Sequence, residues 1–248
     1  MTVRASIYTN ICKPGFILSL AFAVFLSGTL CAQELPFKQK RIFFPHPMNK
    51  KTELSLGFIA TTLIHEITEE VRFRIPAADI HFLRNIKGKW YLDSRLNIQV
   101  FQNSISLGPR WATKLSDRLT MGLGNDFAFW VGFINQQGYK TNGRGFLNQP
   151  NISFGYLIDK NILLSVKAES LMSFGKNTYA GGTRISRDYK LFNGSSYTVS
   201  LEQPFFADKT ISLSFRAIYT NFLWQTWALF QNYDRNLFYP QVIVGVIL

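Results

Sequence analysis

Hydrophobic and polar residues alternate with period two through long stretches of this chain after residue 52. The clearest stretch covers residues 89–101, and its apolar face consists of Trp90, Leu92, Leu96, Ile98 and Val100. The same alternation recurs over residues 119–133, 162–172 and 211–219. Alternation of this kind predicts β-strands with one apolar face.

The length of these stretches distinguishes between two β architectures. They span roughly 9 to 15 residues, longer than the roughly five or six of an average globular strand and near the roughly 9–11 that cross a bilayer at a tilt. Their polar faces hold Gly, Ser, Thr and charges of both signs, which suits a crowded barrel interior. We therefore predict an all-β fold, an antiparallel up-and-down transmembrane β-barrel, with a soluble sandwich as the alternative.

The pattern predicts about ten strands. They lie near residues 53–63, 70–83, 89–101, 104–114, 119–133, 150–158, 161–173, 196–205, 210–222 and 237–248. Glu66, Glu69, Glu70 and Pro76 interrupt the alternation of the first two. Eight strands with a partly external N-terminal segment is therefore the alternative.

The predicted connections differ in length between the two ends. Asp117, Asp159 and Asp208 are each followed by a basic residue between two strands, and Asp favours tight turns. A fourth short turn is expected at residues 85–88, and a tight hairpin at the outer end is expected around residues 102–104. Residues 135–149 and 175–194 are expected to be long loops at the same outer end, opposite the short turns, the asymmetry typical of outer-membrane barrels.

The first 51 residues predict an exported precursor. Arg4 and Lys13 precede an apolar segment over residues 15–30, and Ala32 offers a small residue for cleavage, so residues 1–32 are predicted to be a signal peptide. An uncleaved anchor or a lipoprotein modified at Cys31 are the alternatives. Residues 33–51 are basic and rich in proline, which predicts a periplasmic leader that need not be ordered. Residues 52–248 then form the barrel.

Composition limits the chemistry of the mature chain. Cys12 and Cys31 both precede the cleavage site, which excludes disulfides and thiolate metal sites. Of 27 Lys and Arg, two lie in the presequence, so against 15 Asp and Glu the mature net charge is 25 − 15 = +10. In an exported protein this excess favours outer-membrane lipid and lipopolysaccharide as partners, and not nucleic acid.

The last predicted strand places Val242, Val244, Val246 and Leu248 on one face of residues 238–248. With this alternation it resembles the C-terminal strand of Gram-negative outer-membrane barrels. The class usually ends in an aromatic residue, whereas this chain ends in Leu248. The resemblance covers a broad class over residues 52–248; it implies an outer-membrane location and recognition by the barrel assembly machinery through this strand, and it implies no activity.

Aromatic residues near strand ends predict two interfacial belts. Those near the turns are Trp90, Trp111, Tyr156, Phe205 and Phe206, and those near the loops are Phe133, Tyr219, Phe222, Trp224 and Phe238.

The period-two assignment predicts a charged network inside the barrel. Its members are Arg72, Arg74, Asp93, Arg95, Asp126, Lys167, Glu169, Glu202 and Arg216. Charges in a narrow lumen must pair, because an isolated charge is costly to desolvate. An interior of about eight strands is just filled by side chains, which favours a plugged core over a conducting pore.

The outer loops combine basic and aromatic residues. They contain Tyr139, Lys140, Arg144, Tyr179, Arg184, Arg187, Tyr189 and Lys190. Such a set suits lipopolysaccharide phosphates, a glycan or a partner protein, and it equally suits a solvated loop at the lipid surface.

Catalytic motifs give little support for an enzyme. His65-Glu66 begins like a zinc-protease motif, but Glu69 stands where the second His is needed. A lipid hydrolase would need a His with a Ser or an activated water on the lipid-facing wall, and His81 or His65 is the candidate for that His. No catalytic residue, metal site or cofactor is expected. The leading hypothesis is a non-enzymatic structural, surface-interaction or accessory barrel. The alternatives are a narrow channel or transporter for small solutes, anions included, and, third, a lipid-modifying enzyme.

Overall fold

The structure, a computed structural model, describes residues 39–47, 51–63, 74–136, 139–159, 161–185, 190–206, 208–229 and 235–248. The predicted signal peptide lies outside the described residues, as do Arg72, His65, Arg187 and Tyr189.

The described chain consists almost wholly of β-strands. They are β1 (Thr52–Thr62), β2 (Arg74–Lys87), β3 (Trp90–Ile98), β4 (Gln102–Lys114), β5 (Leu119–Gln136), β6 (Tyr139–Asp159), β7 (Ile162–Ala180), β8 (Thr183–Arg184), β9 (Phe192–Pro204), β10 (Thr210–Thr220) and β11 (Leu237–Ile247). One short 3-10 helix, η1, covers Trp224–Leu229. Within the described ranges no helix is long and apolar enough to cross a membrane.

Ten long strands close into an antiparallel barrel. Each pairs with its neighbour in sequence, β6 pairs with β7, and β9 replaces the short β8 beside β7. The barrel closes between the first and last long strands, where pairing runs from Ser55 opposite Ile247 to Thr61 opposite Gln241. The predicted up-and-down barrel of ten strands is confirmed, and the alternative of eight strands is wrong.

Side chains alternate between the outer wall and the lumen. On the outer wall Phe58, Leu213 and Val244 keep 52%, 51% and 41% of their surface exposed. Their sequence neighbours Ile59, Ser212 and Ile243 face inward and are buried. The outer wall is therefore apolar, as the period-two pattern predicts for a barrel in lipid.

The two ends of the barrel differ as predicted in connection length, although the long connections are mostly strand. The short connections that follow β4, β6 and β9 lie at one end, here called the short-turn end, with the start of β1 and the end of β11. In the first of these turns Ser116 Oγ accepts a hydrogen bond from the Leu119 N–H at 3.1 Å. The other end is called the long-hairpin end.

The predicted long loops at residues 135–149 and 175–194 are corrected by the structure. β5 and β6 stay paired from Leu119–Tyr156 to Gln136–Tyr139, and β7 continues to Ala180. Cross-strand backbone hydrogen bonds continue through both stretches. The chain therefore remains in β-strands there, although its residues no longer alternate between apolar and polar.

The aromatic belts are also corrected in part. Trp90, Phe133, Tyr219 and Phe238 are exposed on the outer wall. Phe222 is buried, however, and packs with Trp224 in an interior cluster, because the segment after β10 folds into the lumen.

We expect a charge in the middle of the outer wall to destabilise the barrel. Phe215 lies at the centre of β10 and is 48% exposed on the lipid-facing side. Phe215→Arg should lower the free energy of unfolding in lipid vesicles by about 2–4 kcal/mol, measured by urea titration. Phe215→Leu is the control and should cost much less; an equal loss for both would contradict the lipid-facing assignment.

Candidate functional site

A cluster of charged side chains occupies the middle of the lumen. This central charge cluster consists of Asp79, His81, Asp93, Arg95, Arg110, Asp126, Lys167, Glu169 and Arg216, and all except Asp79 line one polar cavity. Period two places each of them on an inward position of β2, β3, β4, β5, β7 or β10.

Pairs on β2 and β3 are joined diagonally across the ladder. His81 is directly opposite Arg95 in the register, but Arg95 instead donates two hydrogen bonds to Asp79, Nε to Oδ1 at 2.6 Å and Nη2 to Oδ2 at 2.9 Å. His81 Nε2 bonds to Asp93 Oδ1 at 2.7 Å. Diagonal neighbours lie within reach of long side chains, so each carboxylate meets a donor on the adjacent strand.

A second chain of charges crosses from β5 to β10. Lys167 Nζ lies 3.2 Å from Asp126 Oδ2 and 2.8 Å from Glu169 Oε1. Arg216 Nη2 and Ser196 Oγ each donate to Glu169 Oε2 at 2.6 Å. The lysine therefore bridges two carboxylates, and the second carboxylate is held by an arginine as well.

The central charge cluster is balanced. Four carboxylates face four permanent cations: Asp79, Asp93, Asp126 and Glu169 against Arg95, Arg110, Lys167 and Arg216. Removal of one member leaves its partner as an uncompensated buried charge. The cluster therefore joins the wall of the barrel across the lumen and, with His81 neutral, carries no surplus of positive charge.

Residues 39–47 enter the lumen from the short-turn end; this piece is called the luminal segment. The carboxylate of Glu202, fully buried, accepts hydrogen bonds from three successive backbone N–H groups, those of Ile42, Phe43 and Phe44, at 2.8, 2.9 and 3.1 Å. An anion that accepts several backbone N–H groups fixes a peptide segment firmly. Residues 33–51 are predicted to be a periplasmic leader that need not be ordered; nine of them, residues 39–47, lie inside the barrel in the structure.

Arg110 connects the luminal segment to the central charge cluster. Its guanidinium donates to the carbonyl of Ile42 at 2.6 Å and of Phe43 at 2.9 Å, and it contacts Asp93 Oδ2 at 3.4 Å. Glu202 holds the N–H groups of the segment and Arg110 holds its carbonyl groups.

Two glycines of the barrel wall make room for this segment. A Cβ at Gly155 would lie 2.6 Å from the Phe44 ring, and a Cβ at Gly122 would lie 2.8 Å from Pro45. Both distances are below any normal contact of a Cβ atom. The wall is thus shaped to the segment as well as bonded to it.

The helix η1 occupies the lumen at the long-hairpin end. Trp227 is buried against Gly132 and Gly143, and a Cβ at Gly143 would lie 2.6 Å from its indole. Gln102 Nε2 donates to the carbonyl of Gln225 at 2.9 Å, and Thr61 Oγ1 donates to Gln225 Oε1 at 3.0 Å. Side chains of β1 and β4 therefore hold the helix in the lumen.

The cavity between the two occupied ends is small. Its volume is about 80 Å³, with Phe43 on one side and Trp224 on the other, and a second cavity of about 40 Å³ lies beside η1. Pockets for drug-sized ligands measure about 300–1,000 Å³. Polar space of this size suits a few water molecules.

The structure places most of the residues proposed for the interior network in the lumen. Asp93, Arg95, Asp126, Lys167, Glu169 and Arg216 belong to the central charge cluster, and Glu202 lies at the short-turn end beneath the luminal segment. Arg74 is a correction: it is exposed, because the even-numbered residues of β2 face outward. Arg72 lies outside the described residues.

Sequence reasoning missed three interior residues, Asp79, His81 and Arg110. In β2 apolar residues occupy both faces, for example Ala77 inward and Phe82 outward. The alternation therefore did not show whether the odd-numbered or the even-numbered residues face the lumen. Arg110 did carry a usable pattern, since it alternates with Leu107, Pro109 and Trp111. His81, considered for a lipid-facing catalytic site, is buried in the lumen, which removes that arrangement.

The residues proposed for the outer loops lie mostly on strands. Tyr139, Lys140 and Arg144 belong to β6, Tyr179 to β7 and Arg184 to β8, whereas Lys190 precedes β9. Arg187 and Tyr189 lie outside the described residues. Among the residues that the structure describes, no group of three His, Cys, Asp or Glu side chains is arranged to hold a metal ion.

Comparison with known proteins gives similarity to other barrels at low sequence identity. No protein-family model matches the chain, and no curated protein matches it. Similar solved structures include the NanC porin, with 11% identity over 78% of this chain and 98% of that one and a TM-score of 0.41. Ail of Yersinia pestis shows 10% identity over 81% and 100%, with a TM-score of 0.40. The toluene transporter TbuX of Ralstonia pickettii shows 10% identity over 80% and 74%, with a TM-score of 0.39.

We expect the paired charges to be far more sensitive to substitution than the exposed ones. Arg95→Met should destabilise the barrel by about 3–5 kcal/mol, because it leaves the buried Asp79 carboxylate without its cation. Arg74→Met, on the outward face of β2, should change stability by less than about 1 kcal/mol. Equilibrium unfolding in urea measures both, and similar values would contradict the assigned faces of β2 and β3.

We expect acid to weaken docking of the luminal segment through His46. Burial, with the nearby Arg41 charge, lowers the pKa of His46 from 6.5 to about 3, so the folded protein keeps this ring neutral while the unfolded chain binds a proton below pH 6.5. Stability is therefore complete above pH 6.5 and falls as the pH drops towards 3, by at most about 1.4 kcal/mol per pH unit. Urea unfolding at pH 7.5 and 5.5 should show a smaller drop for His46→Asn than for the natural protein. An equal drop would assign the acid sensitivity to other groups.

The architecture is a closed barrel of ten antiparallel strands with an apolar outer wall, and its lumen is filled by paired charges and by two segments of its own chain.

Proposed function

We propose that this chain is a non-enzymatic outer-membrane barrel that does not conduct in its resting state and that acts as a structural or surface-interaction subunit. The short-turn end faces the periplasm and the long-hairpin end faces the outside, following the general asymmetry of such barrels. The signal peptide predicted over residues 1–32 provides the export that this location requires.

One observation carries the proposal: both ends of the lumen are occupied by anchored chain. The Glu202 carboxylate and the Arg110 guanidinium hold the luminal segment through five hydrogen bonds of 2.6–3.1 Å. At the other end Trp227 fits against glycines of β5 and β6. In a permanently open pore, side chains of the wall that bind other segments of the same chain inside the lumen would have no use.

The second candidate function is a narrow channel for small polar solutes. The observation in its favour is the polar lining of the cavity, where charges of both signs line the space between the two closures. Because those charges are balanced, they give no reason to expect a preference for anions.

Conductance in planar bilayers separates the two functions. The natural protein should give no stable openings, whereas a channel would open without any substitution. The double variant Glu202→Ala, Trp227→Ala loses an anchor at each end and should open briefly, which shows that the assay can detect this lumen. Gln203→Ala is the matched control, because Gln203 is exposed on the outer side of β9, and it should remain closed.

Stable openings of the natural protein would overturn the resting-closed proposal and favour the channel. Heat-modifiable migration on gels should accompany each measurement, so that loss of folding is not mistaken for closure. Fractionation of cells tests the location separately, and recovery of the processed protein as a water-soluble monomer would contradict it.

A further inference from the structure

Three strands of the barrel continue beyond their neighbours at the long-hairpin end. β4 begins at Gln102, opposite Gly132 of β5, and β9 begins at Phe192, opposite Met172 of β7. The continuation consists of residues 133–136, 139–146, 174–180 and 183–184, here called the outer sheet. It prolongs one part of the barrel wall, so its outward face continues the lipid-facing face below it.

Residues directly opposite each other in a ladder point to the same side, and this arranges the outward face in rows. Phe129, Phe146 and Phe174 form the lowest row, and their rings are in contact, with centroids 5.2 and 5.7 Å apart. Phe146 and Phe174 are 46% and 42% exposed. This row is an aromatic layer of the kind that lies at a membrane interface.

Cations occupy the rows directly above these rings. Arg144 lies in the next row, between Val131 and Asn177. The row after that contains Phe133, Asn142, Tyr179 and Arg184, and Lys140 lies one row further out, opposite Asn135. Phe133 is 54% exposed, which fixes the outward direction of its row.

Strand geometry limits the distances among the three cations. Arg144 on β6 and Arg184 on β8 are separated by two strand-to-strand spacings and by two residues along the strand direction, which places their Cα atoms about 12 Å apart. Lys140 lies on the same strand as Arg144 and four residues away, about 13 Å along it. Their long side chains can therefore meet the phosphate groups of a single lipid headgroup or of two adjacent ones.

The charges of the outer sheet are unbalanced, in contrast to those of the lumen. On the outward positions described for residues 129–135, 140–146, 170–180 and 183–184 no Asp or Glu occurs. Lys140, Arg144 and Arg184 are exposed and form no ion pair within the described part of the chain. Three cations without carboxylates attract an anion, and the rings beneath them indicate that the anion belongs to an amphiphile.

We propose that Lys140, Arg144 and Arg184, with the aromatic row of Phe129, Phe146 and Phe174, form a binding site for the phosphate groups of a lipid in the outer leaflet. The rings contact its acyl chains and the cations bind its phosphates as charge-assisted hydrogen-bond donors. A lipid is the occupant because an apolar row and the cationic rows follow one another along the strands of one wall. The inference rests on the outer-membrane location proposed above, and it does not depend on whether the lumen conducts.

Lipid binding to the purified, folded full-length barrel in detergent tests the site. The probes are lipid A, which carries two phosphates, its dephosphorylated form, and inorganic phosphate, and native mass spectrometry with titration gives the affinities. The triple variant Lys140→Gln, Arg144→Gln, Arg184→Gln should bind lipid A about tenfold to a hundredfold more weakly. The matched control Arg84→Gln, Lys87→Gln, Lys114→Gln removes the same charge from exposed positions at the short-turn end and should bind like the natural protein.

Each result decides for or against the site. Loss of affinity confined to the first variant, and absent for the dephosphorylated lipid, supports it. Equal loss in both variants means that net charge alone attracts the lipid, and binding of inorganic phosphate as tight as that of lipid A means a site for free anions; either overturns the proposal, as does a natural protein that does not bind lipid A. Heat-modifiable migration confirms that each variant is folded. Because binding is measured in detergent, failure here is distinguishable from a wrong cellular location, which fractionation reports.

Discussion

Closure of the sheet between β1 and β11 is the constraint on which the rest of the structure depends. A membrane offers no water to the backbone, so every N–H and C=O in the spanning part must bond within the protein. Seven residue pairs from Ser55–Ile247 to Thr61–Gln241 remove both edges of the sheet. Once the edges are joined, the period-two alternation of each strand is sufficient to place apolar side chains on the outer wall and polar side chains in the lumen.

A barrel of ten strands has a lumen that is too wide to be filled by the side chains of its own wall. Interiors of about eight strands are just filled by side chains. Here the additional space is occupied by the luminal segment and by η1, each seated against wall glycines such as Gly155 and Gly143. The carboxylate of buried Glu202 shows how a charge is stabilised in this filled lumen, because three backbone N–H groups donate hydrogen bonds to it and cations lie nearby.

The inner and outer charges of the barrel follow opposite rules for the same physical reason. In the lumen little water is available, so each of the four acids of the central charge cluster, among them Asp79 and Glu169, is bonded to a cation at 2.6–3.4 Å. On the outer sheet water and lipid headgroups can solvate Arg144 and Arg184, and these cations need no protein partner. The location of the charges relative to water, and not their number, decides which of them hold the fold together and which are available for partners.

The sequence by itself determined the fold class, the number of long strands and the inward position of Asp93, Arg95, Lys167 and Glu169. The reason is that successive residues of a strand face lipid and lumen in turn, so their polarity alternates along the sequence. It did not determine the faces of β2, where both sides are apolar, or the extent of β6, whose glycines and amides lack the alternation although its backbone pairs throughout. Only the tertiary structure decided that residues 39–47 return into the barrel and that η1 enters from the other end. Those placements depend on contacts between residues more than 100 positions apart, such as Ile42 with Glu202 and Gln102 with Gln225, and no local pattern encodes such pairs.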